Sequence, residues 1–236
     1  MTVMGSAAGE PASPLTVTVL AGEHRDARAV KPLLRGWMHL AWFEASLVVG
    51  TLTLVRAHGA VRITALAIFA GSVSALFGAS ALYHRGTWSA RWRGRLQRLD
   101  HAMILLLIAG TSTSAFLLAS HGAFRVICLI VVWTFTLTVL AIRMVWMNAP
   151  ERLVGSMVVG LGWVAGLGLP VVWLHAGTAA GALLLAGGLL YTAGALSYHR
   201  RWPDPNPAVF GYHEVFHVFV CAAATCQYVA IALLIS

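Results

Sequence analysis

Residues 210–236, FGYHEVFHVFVCAAATCQYVAIALLIS, decide how this chain is read. Residues 212–235 are apolar over the length of a bilayer crossing, which takes roughly 20 residues of helix. Yet the run opens with His213-Glu-Val-Phe-His217, the H-E-x-x-H pattern of zinc proteases. Ionisable groups at membrane depth are costly, roughly 2.5–3.5 kcal/mol for an aspartate on insertion scales, so their default reading is functional. Two imidazoles and a carboxylate at such a place call for partners from elsewhere in the sequence.

The rest of the chain has the same apolar character. Hydrophobic side chains make up 59% of the 236 residues and charged ones only 10%, with a mean hydropathy of +0.79. Soluble domains carry about 25% charged residues. The fold class expected is therefore all-α, a polytopic membrane protein with seven transmembrane helices over 38–55, 63–84, 100–119, 124–147, 153–174, 178–199 and 212–235. Small residues at close spacing, as in GLGWVAGLGLP and GALLLAGGLL, suit close helix approach in lipid. Residues 1–36 are small, polar and rich in Pro and Gly, with no basic segment feeding a compact apolar core. They read as a disordered cytoplasmic tail without a cleaved signal peptide, and residues 37–236 as the transmembrane domain.

A net charge of +8 in a soluble domain would suggest nucleic acid. Here the basic residues lie in short loops, so no nucleic-acid partner is expected; the anionic partners are lipid headgroups at the cytoplasmic face. With the N-terminus inside, thirteen of the sixteen Lys and Arg fall on inner segments, leaving Arg56, Arg62 and Arg125 outside. The positive-inside rule gives an N-in, C-out topology. The inner segment 85–99, with five Arg, Trp88 and Trp92, is expected to lie along the headgroup boundary. Cys128, Cys221 and Cys226 all fall within apolar runs and form no disulfide framework or Cys-based metal motif.

Three spans bring polar residues to one depth. The second ends in SALYHR, so Ser80 and His84 share a face four residues apart, with Ser80 one turn deeper. The third starts at that same end with RLDHAMI, which puts Asp100 in its first turn, where it also suits an N-terminal cap. The seventh begins there too, with His213 and His217 on one face at i, i+4. Three neutral imidazoles with one open position form a common catalytic zinc shell. The expected ligands are His84, His213 and His217, with Asp100 as general base and Ser80 orienting it or polarising a substrate carbonyl. A shared Zn²⁺ requires the ring nitrogens to lie within about 5 Å of one another. Glu214 projects about 100° around the helix from His213, so it is expected to contact Arg200, Arg201 or another headgroup-level group rather than act as base. His39 and Glu44, five apart in the first span, align imperfectly. His199, in an LSYHRRW that echoes ALYHRGTW, competes as a ligand only if that echo is a repeat.

The runs SALYHRGTW, RLDHAMILLLIAGTSTS, GGLLYTAGALSYHRRWP and FGYHEVFHVFV resemble the motifs of the hemolysin III branch of the progestin and adiponectin receptor (PAQR) family. The likeness extends from about Gly36 to the end of the chain. It departs at Gly110-Thr-Ser-Thr-Ser, where the family pattern has GT-x-TP. The resemblance implies seven helices, a cytoplasmic-side zinc site at Ser80, His84, Asp100, His213 and His217, and a place in the bacterial plasma membrane. It also implies zinc-dependent hydrolysis of lipid amides such as ceramide, or cytolysis. The reading is an integral membrane, zinc-dependent hydrolase acting on a lipid amide or ester, with membrane lipid as substrate. Its rivals are a non-catalytic, zinc-stabilised sensor or regulator and a pore-forming cytolysin. No span shows the polar stripe that a water-filled pore would need.

Overall fold

The computed structural model describes residues 31–146 and 150–235. Residues 1–30 of the expected tail lie outside them. The described residues form α1 (Trp37–Val55), α2 (Ala60–Arg85), α3 (Ala90–Ala119), α4 (Gly122–Val145), α5 (Glu151–Gly166), α6 (Leu169–Ala176), α7 (Thr178–Arg200) and α8 (Tyr212–Leu233). Among these residues the extended pairing is a single isolated bridge, Asn206 with Phe210. The fold is all-helical.

Six helices, α1 to α4, α7 and α8, are each long and apolar enough to cross a membrane. The segment expected as one straight fifth span is instead the pair α5 and α6, bent by 45°. Pro170 explains the break: it has no N–H to donate, and its ring clashes with the carbonyl four residues back, at Gly166. The break also brings backbone onto α3, since a Cβ on Gly168 would meet the Phe116 ring at 2.3 Å.

The segment 85–99 extends the third helix, which starts earlier than expected. From Ala90 onward it is helical and continuous with the third span, so Asp100 is not in the first turn of α3 and does not cap it. Arg is a good helix former, and Arg91, Arg93 and Arg95 stay exposed while Leu96 and Asp100, four apart, turn inward. Further along, Gly110-Thr-Ser-Thr-Ser leaves the helix unbroken. Each hydroxyl there bonds the carbonyl four residues back, at 2.9 Å for Thr111, 2.7 Å for Ser112, 2.7 Å for Thr113 and 2.9 Å for Ser114. The polar run is thus satisfied without water.

Burial separates centre from periphery. In the spanning windows, 61% of α3 and 50% of α2 are buried, against 17% of α1 and of α4. Phe69, Val73 and Phe77 of α2 pack with Val220, Ala224 and Ile231 of α8, making the main core. The exposed Leu, Val and Ile of α1 and α4 form an apolar outer surface suited to lipid.

Before α1, the chain folds back on the α7–α8 connection. The Leu33 and Leu34 N–H groups donate to the Ala208 and Val209 carbonyls at 3.0 and 3.1 Å. Gly36 then turns into α1 with φ +79°, where a Cβ would sit 2.9 Å from the Cβ of His84. Residues 32–36 therefore lie directly against the histidine end of the bundle.

Candidate metal centre

The start of α1, the end of α2, the third turn of α3 and the start of α8 meet at one end of the bundle. Near the end of α2, Ser80 and His84 occupy one face. On α8, His213 and His217 sit one turn apart and face α2. His84 Nε2 is 3.3 Å from His213 Nε2, and one nitrogen from each of His84, His213 and His217 falls within a 4.8 Å group. The three rings pack edge to face, with centroids 4.6 to 5.2 Å apart.

This arrangement fits a transition metal. Zn–N bonds of about 2.0–2.1 Å in tetrahedral geometry put ligand nitrogens about 3.4 Å apart; His84 and His213 stand at 3.3 Å, and the three-nitrogen group as a whole falls within 4.8 Å. His217 is 1% exposed, and its Nδ1 is buried with no hydrogen-bond partner among the described residues. Buried polar atoms are rarely left unpaired. Imidazole nitrogens as a donor set suit zinc, copper, iron or nickel rather than calcium or magnesium.

Asp100 is buried beside the trio, its Oδ2 3.7 Å from His84 Nε2. Ser80, also buried, faces the Asp100 carboxylate. All five residues expected at the site are therefore adjacent, although Asp100 comes from the third turn of its helix.

Two further residues belong to the site. His39 of α1 is buried, places Nδ1 2.8 Å from Ser80 Oγ and stacks on His217 with ring centroids 3.7 Å apart. The edge of Phe77 closes its other side. The clue in the sequence is spacing: His39, Ser46 and Gly50, the buried residues of α1, fall at i, i+7 and i+11, one helix face. Comparing His39 with Glu44 hides this stripe, because Glu44 is exposed on another face.

The second is Glu214, which is 0% exposed. It does not reach Arg200 or Arg201. Its carboxylate accepts from the Arg35 guanidinium and, at 2.8 Å, from the Gly211 N–H, closing the first turn of α8. Arg35 stands in the fold-back segment before α1, so this ion pair ties that segment to the helix bearing His213 and His217. Arg and backbone both engage the carboxylate, so Glu214 acts as a brace. His199 is exposed at the end of α7 and lies outside the three-histidine group. His101 contacts Arg143, while His121 and His175 pair at the opposite end of the bundle.

The profile described as "Haemolysin-III related" matches residues 27–228. The chain is 25% identical to the hemolysin-3 homolog of Bacillus subtilis (strain 168) over 167 residues, 70% of this chain and 75% of that protein. It is also 25% identical to hemolysin-3 of Bacillus cereus over 130 residues, covering 55% of this chain and 57% of that one. No solved structure matches. Apolar helices of membrane-crossing length and a profile match over most of the sequence lead to one conclusion: the chain is an integral membrane protein of the haemolysin-III-related family.

Proposed function

We propose that this protein is a zinc-dependent hydrolase of a lipid amide or ester, with its histidine end and N-terminus on the cytoplasmic side of a bacterial plasma membrane. The observation that carries the reading is the convergence of three imidazoles from α2 and α8 within 4.8 Å, beside a buried carboxylate. A structural brace needs the imidazoles alone; the Asp100 and Ser80 pair next to them is what hydrolysis needs in addition.

His84, His213 and His217 would hold the ion. When bound, zinc supplies Lewis acidity and brings the pKa of water in its open position to about 7. Asp100 is placed to accept a proton from attacking water and pass it to the leaving amine or alkoxide. Ser80 holds the Asp100 carboxylate in position, and His39 holds Ser80. Glu214 takes no part in proton transfer, because Arg35 and the Gly211 N–H occupy its carboxylate. The depth of the cluster suits the carbonyl linkage of a membrane lipid, which lies just below the headgroups.

The test combines metal content with turnover in detergent-purified protein. His84→Ala and His217→Ala should lose bound zinc, and zinc content equal to the parent's would overturn the ligand assignment. Incubation with ceramide and lipid esters should release fatty acid; Asp100→Asn should keep the metal and lose that release. Zinc binding without release from any of these lipids would establish the non-catalytic reading. The relatives' printed names bring in cytolysis as the other reading, and dye release from liposomes measures it directly.

A further inference from the structure

We propose that the concavity closing the α1–α2 turn, at the end of the bundle opposite the histidines, binds a phosphate oxyanion. The cavity measures about 180 Å³ and is lined by Thr53, Arg56, Ala57, His58, Arg62 and Ile235. Arg56 ends α1, Arg62 stands in the first turn of α2, and His58 lies in the turn between them. Two arginines and a histidine thus line one hollow from both sides of a tight connection. Gly59, at φ +85°, makes that connection short enough.

Among the described residues, the carboxylates lie away from those cations. Among the described residues the acids are Glu44, Asp100, Glu151, Asp204 and Glu214. The last four lie at the histidine end, and Glu44 lies in the half of α1 nearer to it. The described ion pairs involve Glu214 and Asp100 only, and neither includes Arg56 or Arg62. Arg125, the third arginine at this end, is already held by the Ser120 carbonyl at 2.6 Å.

A single arginine at a helix end reaches for headgroup level on its own, and that requires no site. Here the convergence around a hollow is what points to a ligand. Arginine forks match the oxygens of a phosphate bidentately, and His58 adds a further donor. The surface beside the hollow is apolar, with Leu52, Val55, Val61 and Ile63 all exposed. A phosphate presented on acyl chains would therefore find charge complementarity and chain contact together. Free phosphate offers the first alone.

The experiment uses the full chain in detergent, carrying a C-terminal tag so that no α-carboxylate follows directly on Ser236. Native mass spectrometry would count retained phosphatidylglycerol against diacylglycerol with the same chains, and competition with inorganic phosphate would follow. The parent should retain one phosphatidylglycerol and no diacylglycerol. R56Q/R62Q should lose retention about tenfold, while R56K/R62K should fall between, because lysine keeps the charge without the fork. Arg91→Gln, altering an exposed arginine at the other end, should change nothing. Displacement by inorganic phosphate at millimolar concentration would identify the phosphate group alone as the ligand; resistance to it would assign the site to lipid. Equal retention by the parent and R56Q/R62Q, or retention by neither, would overturn the proposal.

Discussion

His39 and Ser80 are joined by a 2.8 Å hydrogen bond between Nδ1 and Oγ, although they stand on different helices 41 positions apart. Ser80 also faces Asp100, and a carboxylate can only accept once it is ionised. In that state one proton arrangement serves both hydrogen bonds, with His39 donating to Ser80 and Ser80 to Asp100, while His39 Nε2 stays buried without a hydrogen-bond partner among the described residues. The same His39 ring lies flat against His217, so one side chain contacts both the carboxylate's partner and an expected metal ligand.

Replacing His39 therefore acts on chemistry more than on metal occupancy. In His39→Ala, zinc content per chain should stay near that of the parent, while lipid hydrolysis falls about 10- to 100-fold, the usual cost of removing a supporting hydrogen bond at a metal site. His39→Asn places an amide donor near the position of Nδ1 and should recover part of the rate. Loss of metal and rate together, with no recovery in His39→Asn, would mean that the ring serves only as packing for His217.

Glu214 yields the opposite pattern. Its carboxylate is fully buried and paired with Arg35, so Glu214→Ala leaves a half-buried guanidinium without its partner. Breaking a buried pair on one side costs about 3–5 kcal/mol, which a drop in the thermal unfolding midpoint would report. Glu214→Gln retains an oxygen for the Gly211 N–H and should lose less. Surviving folded Glu214→Gln should still turn over lipid, whereas a protease-like general base would abolish turnover at that position.

How far these roles were legible in the sequence follows from the range of each contact. Ser80 with His84 and His213 with His217 are i, i+4 pairs, and helical periodicity alone puts each pair on one face. Their meeting depended only on both ends lying on the same side, which the alternation of spans supplies. Arg35 and Glu214 are 179 positions apart, and no local pattern marks residues 32–36 as packed against α8. The bend at Pro170 had its signal in plain view, since a proline inside a spanning run interrupts the helix. The start of α3 was hidden for another reason: a run dense in arginine looks like a loop when only hydropathy is read, yet its buried Leu96 and Asp100 follow helical spacing.

Gly36 tests how tightly the segment before α1 holds the site. Its φ of +79° disfavours any side chain, and a Cβ there would come within 2.9 Å of the Cβ of His84. Gly36→Ala should destabilise the fold by about 1–2 kcal/mol through the left-handed backbone alone. The contact adds a second effect, displacing His84 and weakening zinc retention in competition with a chelating dye. A variant equally stable and equally retentive would show that residues 32–36 adjust freely around His84.

Metal removal offers the broadest check, because the expected ligands come from helices that are not close backbone neighbours. The main partners of α2 are α1 and α3, whereas α8 packs chiefly on α7. An ion held by His84 on one side and by His213 and His217 on the other would staple these two groups together at the end where Arg35 and Glu214 also join them. Ligand binding to the folded state alone stabilises by about 4 kcal/mol at a free concentration 1,000 times Kd. Stripping zinc with a strong chelator should thus lower the unfolding midpoint of the parent, and returning zinc should restore it. The His84→Ala variant should start near the lower midpoint and respond to neither treatment. A parent whose midpoint stays fixed while elemental analysis shows the zinc gone would separate the cluster from any role in bracing the bundle.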